Sequence, residues 1–200
     1  MPATPSTSSR DRLLLAAAEL FLAHGFGPVG LDRIIEAVGV TKTTFYKHFP
    51  SKDDLIIAVL ARQHEIEMRS LVEDVERRAA GDPRGQILAM FDVFDEWFGE
   101  DTFRGCMFLN AATEFPGPTD PIHRAAIAHG EGLQEFVQER AIAAGVEPGA
   151  AATLAMQIVM LVSGAVISRQ TAHVLHAARL AKPMAEALLD QAMPGNGGRR

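Results

Sequence analysis

The stretch GVTKTTFYKHFPSKDDL, residues 39–55, gathers side chains that suit a polyanion. Lysine and tyrosine side chains bind phosphates, and threonine hydroxyl and methyl groups match base edges and the thymine methyl group. This mixture of groups predicts contact with a nucleic acid. The candidate contact residues are Thr41, Lys42, Thr43, Thr44, Tyr46, Lys47, His48 and Lys52.

Two short helices are needed to position these groups. A helix is predicted at about 31–38, Gly39 and Val40 turn the chain, and Thr41 is placed to cap a further helix that runs to about His48. Two helices joined by a tight turn are typical of a helix-turn-helix, whose second helix enters the major groove of DNA.

Charge placement favours this interpretation over the alternative that the stretch is only the solvated face of a helix pair. Lys42 and Lys52 each stand at the first position of a predicted helix, where a cation opposes the helix dipole and costs about 0.3–1 kcal/mol. A phosphate bound at the helix start would offset that cost. Phe45 and Phe49 are four residues apart and are expected to turn inward.

The formal net charge of -6 is unevenly divided along the chain. The first 50 residues hold five Lys or Arg and four Asp or Glu, whereas the remaining 150 hold fourteen and twenty-one. An acidic body confines DNA contact to one basic surface, which disfavours the alternative of a structural protein that binds DNA without sequence preference. That alternative stays open. The single cysteine, Cys106, fits a reducing, cytoplasmic setting.

Apolar residues recur every three or four positions, and no sustained two-residue alternation is present. The sequence therefore predicts an all-α protein of about nine helices. Residues 10–55 are expected to form an N-terminal three-helix domain that contains the helix-turn-helix. A C-terminal helical domain is expected at 56–193, with disordered tails at 1–9 and 194–200.

Residues 13–60, LLLAAAELFLAHGFGPVGLDRIIEAVGVTKTTFYKHFPSKDDLIIAVL, resemble the DNA-binding domain of the tetracycline-repressor (TetR) family of bacterial transcriptional regulators. FRGCMFLNAATEF, residues 103–115, resembles more weakly the body of one branch of that family. Two positions depart from the family pattern. Gly30 stands where Ser or Thr usually caps the second helix, and Ile35 stands where Ala usually permits close helix packing.

The resemblance implies a homodimer whose two recognition helices bind the two halves of a palindromic operator. It also implies that the C-terminal domain is a ligand-binding and dimerisation domain, in which a small-molecule inducer releases the DNA. The expected function is therefore that of a repressor.

The body contains a candidate ligand site that is rich in large apolar groups. An apolar cavity with a few polar anchors suits a small molecule, and Asn110 and Glu114 are the expected anchors, with Gln157 opposite them. The alternative is that Asn110 and Glu114 bond to backbone groups or face water. The predicted lining residues are Phe94, Trp97, Phe98, Met107, Asn110, Glu114, Met156, Gln157 and Met160.

The segment 150–168 carries no charged residue, and its length is close to the about 20 residues needed to span a bilayer. Thr153, Gln157 and Gly164 nevertheless form a small and polar stripe, which favours a helix buried between protein layers. The last two long helices are rich in alanine and in apolar surface. They are expected to form the homodimer contact, and no membrane association is expected.

Enzymatic and metal-binding functions have weaker support. The sequence contains no phosphate loop, nucleophile elbow or zinc-protease motif, so neither catalysis nor a cofactor is expected. An enzyme that uses Cys106 is a remote alternative. The pairs His123 with His129 and His173 with His176 lack a third ligand at a typical spacing, so no metal site is expected.

Overall fold

The computed structural model describes residues 8–193, and within that range it contains nine α-helices and no strand, which confirms the predicted all-α fold. Ser8 caps the first helix and Ser9 begins it, so the predicted tail does not include them. Residues 1–7 and the predicted tail at 194–200 lie outside the described residues. The helices are α1 (Ser9–His24), α2 (Leu31–Val38), α3 (Lys42–His48), α4 (Lys52–Arg78), α5 (Pro83–Phe98), α6 (Met107–Glu114), α7 (Pro121–Ala143), α8 (Pro148–Ala172) and α9 (Ala177–Ala192).

The chain divides into two compact units. Among the described residues, the first unit comprises 8–65 together with Cys106–Ile127, and the second comprises Ile66–Gly105 together with 128–193. This division by packing does not follow the predicted boundary at residue 55. The whole of α6, which the sequence placed in the body, packs with the N-terminal helices, and α4 and α7 contribute residues to both units.

The first unit is organised around aromatic and branched side chains of α1, α3 and α4. In α1 the buried positions recur at helical spacing, which is the pattern of an amphipathic helix with one face on a core. The rings of Phe21 and Phe26 lie 4.9 Å apart between centroids. The fully buried large side chains of this unit are Leu13, Phe21, Phe26, Ile34, Phe45, Leu55, Ile56 and Leu60.

Capping interactions define the ends of these helices. The Ser51 hydroxyl accepts a hydrogen bond from the Asp54 backbone N–H at 3.1 Å and donates to the Asp54 carboxylate at 2.6 Å, which confirms the predicted cap of α4. Gly25 ends α1 with φ of 82°, a conformation that residues with a Cβ rarely adopt. Gly30 begins α2 without a side-chain cap. The ends of α1, α2 and α3 and the start of α4 therefore lie where local signals predict them.

The second unit packs α9 against both α8 and α5. Lys182 of α9 donates to both carboxylate oxygens of Asp92 at 2.6–2.7 Å, and Arg84 of α5 pairs with Asp190 at 2.6 Å. By length and composition, α8 is the one described helix that could cross a membrane, but the core helix of a soluble protein passes the same test. In the second unit α8 has one side packed on its neighbours and one exposed apolar side.

Candidate functional site

The helix pair α2–α3 has the geometry of a helix-turn-helix. Gly39 closes α2 in the left-handed conformation, with φ of 68° and ψ of 39°, and its N–H donates to the Ile35 and Glu36 carbonyls. Thr41 caps α3, because its hydroxyl oxygen accepts from the Thr44 backbone N–H at 3.1 Å. The glycine turn and the threonine cap are both features that the sequence predicts.

The two sides of α3 differ sharply in exposure. Phe45 is fully buried and Phe49 is 3% exposed, so these rings anchor the inner side of α3 as predicted. Tyr46, between them, is 54% exposed. The predicted contact residues with exposed side chains are Thr41, Lys42, Thr43, Tyr46 and Lys47, and those that are half-buried are Thr44, His48 and Lys52.

Lys42 is already paired within the protein. Its ammonium group lies 2.8 Å from the Asp32 carboxylate, and both side chains remain largely exposed. The hydrogen bond and the charge of Asp32 raise the pKa of Lys42. No local sequence pattern indicates this pair, because ten positions separate the two residues and only the turn between α2 and α3 brings them together. Any phosphate that binds Lys42 must compete with Asp32.

The structure gives Lys52 a partner other than DNA. Its ammonium group donates to the Phe26 carbonyl at 2.6 Å and lies 3.4 Å from the Gly27 carbonyl. These carbonyls belong to the loop between α1 and α2. The Lys52 side chain at the start of α4 is half-buried and bonded to backbone, so a phosphate that binds it, as the sequence predicts, must compete with these carbonyls.

Comparisons with known proteins agree with this arrangement. The model described as bacterial regulatory proteins, tetR family, matches residues 13–59, and the model described as transcriptional regulator LmrA/YxaF-like, C-terminal domain, matches residues 83–182. The crystal structure of a TetR-family transcriptional regulator from Streptomyces coelicolor has a TM-score of 0.80 and 31% identity, and the match covers 92% of this chain and 95% of that one. The chain belongs to the TetR family.

Similar curated proteins are also transcriptional regulators. The regulator YjdC of Escherichia coli is 25% identical over 178 residues, which cover 86% of this chain and 91% of that protein. The activator FasR of Mycolicibacterium smegmatis is 34% identical over 100 residues, so the match covers 49% of this chain and 44% of FasR. This TetR-family chain is thus a DNA-binding transcriptional regulator, and α2–α3 is its helix-turn-helix.

The structure brings together the aromatic residues predicted to line a ligand site. In the second unit of this TetR-family chain the ring centroids of Phe94 and Trp97 are 6.0 Å apart, and those of Trp97 and Phe98 are 5.6 Å apart. Phe98 is fully buried, so it is a core residue. The sequence analysis missed two members of this cluster. Phe103 packs 4.8 Å from Trp97, and the Arg169 guanidinium lies 4.6 Å from the Phe103 centroid.

The other predicted ligand residues of α6 lie in the first unit. Met107 is 5% exposed and belongs to the core of that unit, and Asn110 is half-buried with a bonding partner of its own. Glu114 corrects a prediction. Both of its carboxylate oxygens accept hydrogen bonds from backbone N–H groups of Phe26 and Gly27 at 2.7–3.0 Å. The alternative that Glu114 bonds to backbone is the arrangement seen, and the carboxylate is not a free ligand anchor.

The three predicted ligand residues of α8 point away from the core of the second unit. Met156 is 53% exposed, Met160 is 67% exposed and Gln157 is also exposed. The prediction that they line a cavity inside the body is therefore wrong for the isolated subunit. They lie on the exposed side of α8, whereas Ala151, Leu154 and the other buried residues of this helix lie on its packed side.

The histidines are held in separate surroundings. His123 bonds to the Phe115 carbonyl at 2.7 Å, His129 lies 3.8 Å from a Glu67 carboxylate oxygen and His176 lies 3.2 Å from Asp95. Between residues 8 and 193 no group of three or more His, Cys, Asp or Glu side chains is arranged to hold a metal ion. The Cys106 side chain is half-buried at the start of α6.

The Asp32–Lys42 pair leads to the prediction that Asp32→Asn strengthens DNA binding. The change removes one negative charge beside α3 and releases the Lys42 ammonium group for phosphate. Since exposed ion pairs are weak, the expected gain is about two- to fivefold in affinity. Two DNA probes are used. The selected duplex is the one that the wild-type protein selects from a random-sequence pool, and the scrambled duplex has the same base composition in another order. The gain in affinity should be similar for both.

Fluorescence anisotropy with both duplexes measures this effect. Glu19→Gln is the matched control, because it removes one negative charge from an exposed residue of α1 in the same unit. An affinity of Asp32→Asn equal to or below that of the control would show that Asp32 does not compete with phosphate for Lys42.

Proposed function

We propose that this regulator is a cytoplasmic repressor that binds a palindromic operator through α3. The supporting observation is the exposed row of threonine, lysine and tyrosine side chains on α3. The opposite side of α3 is held in the core of the first unit by the buried rings of Phe45 and Phe49. Thr43 and Thr44 are assigned to base edges, and Lys47 and Tyr46 to phosphates. Repression is the role that the family resemblance implies.

The proposed dimer forms through the exposed apolar faces of α8 and α9. These two helices pack against each other and present large side chains to the outside. On α8 the exposed apolar residues Met156, Met160 and Ile167 follow one another at spacings of four and seven residues, and on α9 Leu180 and Met184 are four apart, so each helix has an exposed apolar side. A symmetric contact between two copies would cover it and explain the palindromic operator, because a two-fold dimer presents two identical recognition helices. The exposed large apolar residues of α8, α9 and the turn between them are Met156, Met160, Ile167, Leu175, Leu180 and Met184.

A small-molecule inducer is proposed to act on the body. Phe94 and Trp97 are half-buried aromatic side chains of the kind that line ligand pockets, and they remain the candidate contacts in the second unit. The inducer would release DNA by binding more tightly to a conformation that does not fit the operator. The coupling is reciprocal, so operator DNA would weaken inducer binding by the same factor.

Lysine substitutions on the two sides of Pro50 test the DNA-binding surface. Lys47→Ala is expected to weaken binding to every duplex and to lower the slope of log affinity against log salt concentration by about 0.9, the value for one lost phosphate contact. Lys52→Ala is expected to weaken binding without changing the slope, because Lys52 bonds to the loop carbonyls rather than to a phosphate.

Anisotropy titrations of the selected duplex at several salt concentrations measure both slopes. Thr43→Ala is the third variant, and it should change the preference between duplexes rather than the slope. If Lys47→Ala kept the wild-type slope and affinity, the assignment of α3 to DNA would be contradicted. Equal affinity of the wild-type protein for selected and scrambled duplexes would support the alternative of a structural protein without sequence preference.

A further inference from the structure

The loop between α1 and α2 is held from two sides by charged side chains from distant parts of the chain. The Glu114 carboxylate accepts hydrogen bonds from the Phe26 N–H at 3.0 Å and from the Gly27 N–H at 2.7 Å. The Lys52 ammonium group donates to the Phe26 carbonyl at 2.6 Å. Both backbone groups of Phe26 are therefore bound by ionised side chains, which make stronger hydrogen bonds than neutral ones.

Gly25 of this loop allows the carboxylate to approach. A Cβ at Gly25 would lie 2.9 Å from the nearer Glu114 oxygen, and a Cβ at Gly27 would lie 3.4 Å from the other oxygen. Gly25 also has a φ of 82°, which disfavours residues with a side chain. Gly25 is thus matched to a carboxylate that binds the backbone directly, whereas a Cβ at Gly27 would make ordinary van der Waals contact with it.

The position of Glu114 in its own helix supports the same conclusion. Glu114 is the last residue of α6, where a negative charge opposes the helix dipole. Its hydrogen bonds to the loop offset that unfavourable placement. The next residue, Phe115, packs its ring edge-on to the Phe26 ring with 6.2 Å between centroids. The end of α6 therefore holds both the backbone and the side chain of Phe26.

A short, well-packed segment connects this contact to the recognition helix. Only two residues, Pro28 and Val29, separate Gly27 from Gly30, the cap of α2, and the three steps between the two glycines span at most about 11 Å when extended. Val29 within this segment is fully buried. A shift of Gly27 therefore cannot be absorbed by slack in the chain, and it moves the start of α2. Because Gly39 joins α2 to α3 in a tight turn, the orientation of α3 follows.

We propose that Glu114 is a positioning residue for operator recognition, which fixes the start of α2, and so the orientation of α3, by binding the Phe26 and Gly27 N–H groups. Glu114 itself contacts no DNA in this role. The inference requires sequence-selective DNA binding and is independent of whether the protein represses transcription or binds an inducer. It makes DNA recognition depend on the placement of α6.

For a substitution that removes the charge of Glu114, electrostatics alone predicts higher DNA affinity, whereas the positioning role predicts lower affinity for the selected duplex. Removal of a negative charge from a DNA-binding unit reduces its repulsion of phosphate and should raise affinity for every duplex. The positioning role predicts that Glu114→Ala lowers affinity for the selected duplex by about tenfold or more, because backbone N–H groups lose a charged acceptor. Affinity for the scrambled duplex should stay equal or rise. Glu114→Gln keeps one acceptor oxygen and should give an intermediate loss.

The experiment combines anisotropy titration of both duplexes with amide hydrogen exchange of the free full-length variants. The exchange of the Phe26 and Gly27 amides should be at least about tenfold faster in Glu114→Ala, with the core of α1 and α4 protected as in the wild type. Glu19→Gln serves again as the charge-matched control and should leave the ratio of affinities for the two duplexes unchanged.

Each outcome decides the proposal. A fall in the ratio of selected to scrambled affinity, together with local exchange at the loop, supports it. An unchanged or higher affinity for the selected duplex overturns it. An equal loss for both duplexes, with faster exchange throughout the first unit, also overturns it, because Glu114 would then be needed only for folding. If the wild-type protein bound both duplexes equally, the proposed operator binding would be contradicted instead. Hydrogen exchange of the Phe26 and Gly27 amides would still show whether Glu114 holds the loop.

Discussion

Leu180→Arg is expected to convert the proposed dimer into folded monomers and to weaken binding of the selected duplex by at least about a hundredfold. Leu180 is 67% exposed in the subunit, so arginine is tolerated there in the folded monomer. In the proposed interface each of the two copies would bury an unpaired charge, at a cost of about 3–5 kcal/mol for each. Monomers would bind half-sites separately and lose the advantage of joint binding.

Two arginine variants in the same unit make this prediction specific. Ile142→Arg places the same charge at a 40% exposed apolar residue of α7 and should remain a dimer. Val166→Arg lies on α8 but is 4% exposed inside the subunit, so it should unfold the protein rather than dissociate it. Light scattering measures the mass of each of the three variants, and circular dichroism measures whether each variant is folded. A Leu180→Arg protein with the mass of a wild-type dimer would show that α9 does not form the contact.

Phe45→Ala is expected to destabilise the first unit by about 3–5 kcal/mol, a large part of the about 5–15 kcal/mol that stabilises a typical domain. The Phe45 side chain is fully buried, and its ring lies 5.9 Å from the Phe49 ring and 5.3 Å from the Tyr46 ring. Its removal leaves a cavity under the recognition helix. Operator binding should be lost as α3 becomes disordered.

The neighbouring residue provides the control. Tyr46→Ala removes a 54% exposed ring that packs edge-on against Phe45, so it should cost less than about 1.5 kcal/mol while still weakening DNA binding. Urea unfolding followed by the helical circular dichroism signal measures both variants. Since the chain forms two compact units, the transition is expected to have two steps, and Phe45→Ala should shift one of them. Equal stability of both variants would contradict the anchoring role of Phe45.

The sequence by itself determined the features that depend on neighbouring residues. Residues no more than four positions apart determine the glycine turn at Gly39 and the caps at Thr41 and Ser51. The same short spacing determines the helical periodicity and the inward direction of Phe45. Such interactions are visible in a short window of residue types. For this reason the all-α fold, the helix-turn-helix and the exposed surface of α3 follow from the sequence, and the family match agrees with them.

The tertiary structure alone decided which charged groups meet. Lys42 pairs with Asp32 across a turn, Lys52 reaches back 26 residues to Phe26, and Glu114 reaches back 88 residues to the same loop. Residue types suggested phosphate contacts for both lysines and a ligand contact for Glu114. A charged side chain bonds to whichever partner the fold brings within about 3 Å, and that partner depends on long-range packing. The exposure of Met156 and Met160 was likewise decided by which side of α8 packs on its neighbours. Thr153, Gln157 and Gly164, the small and polar stripe of α8, lie on the same exposed side, so the stripe was a local signal of that choice.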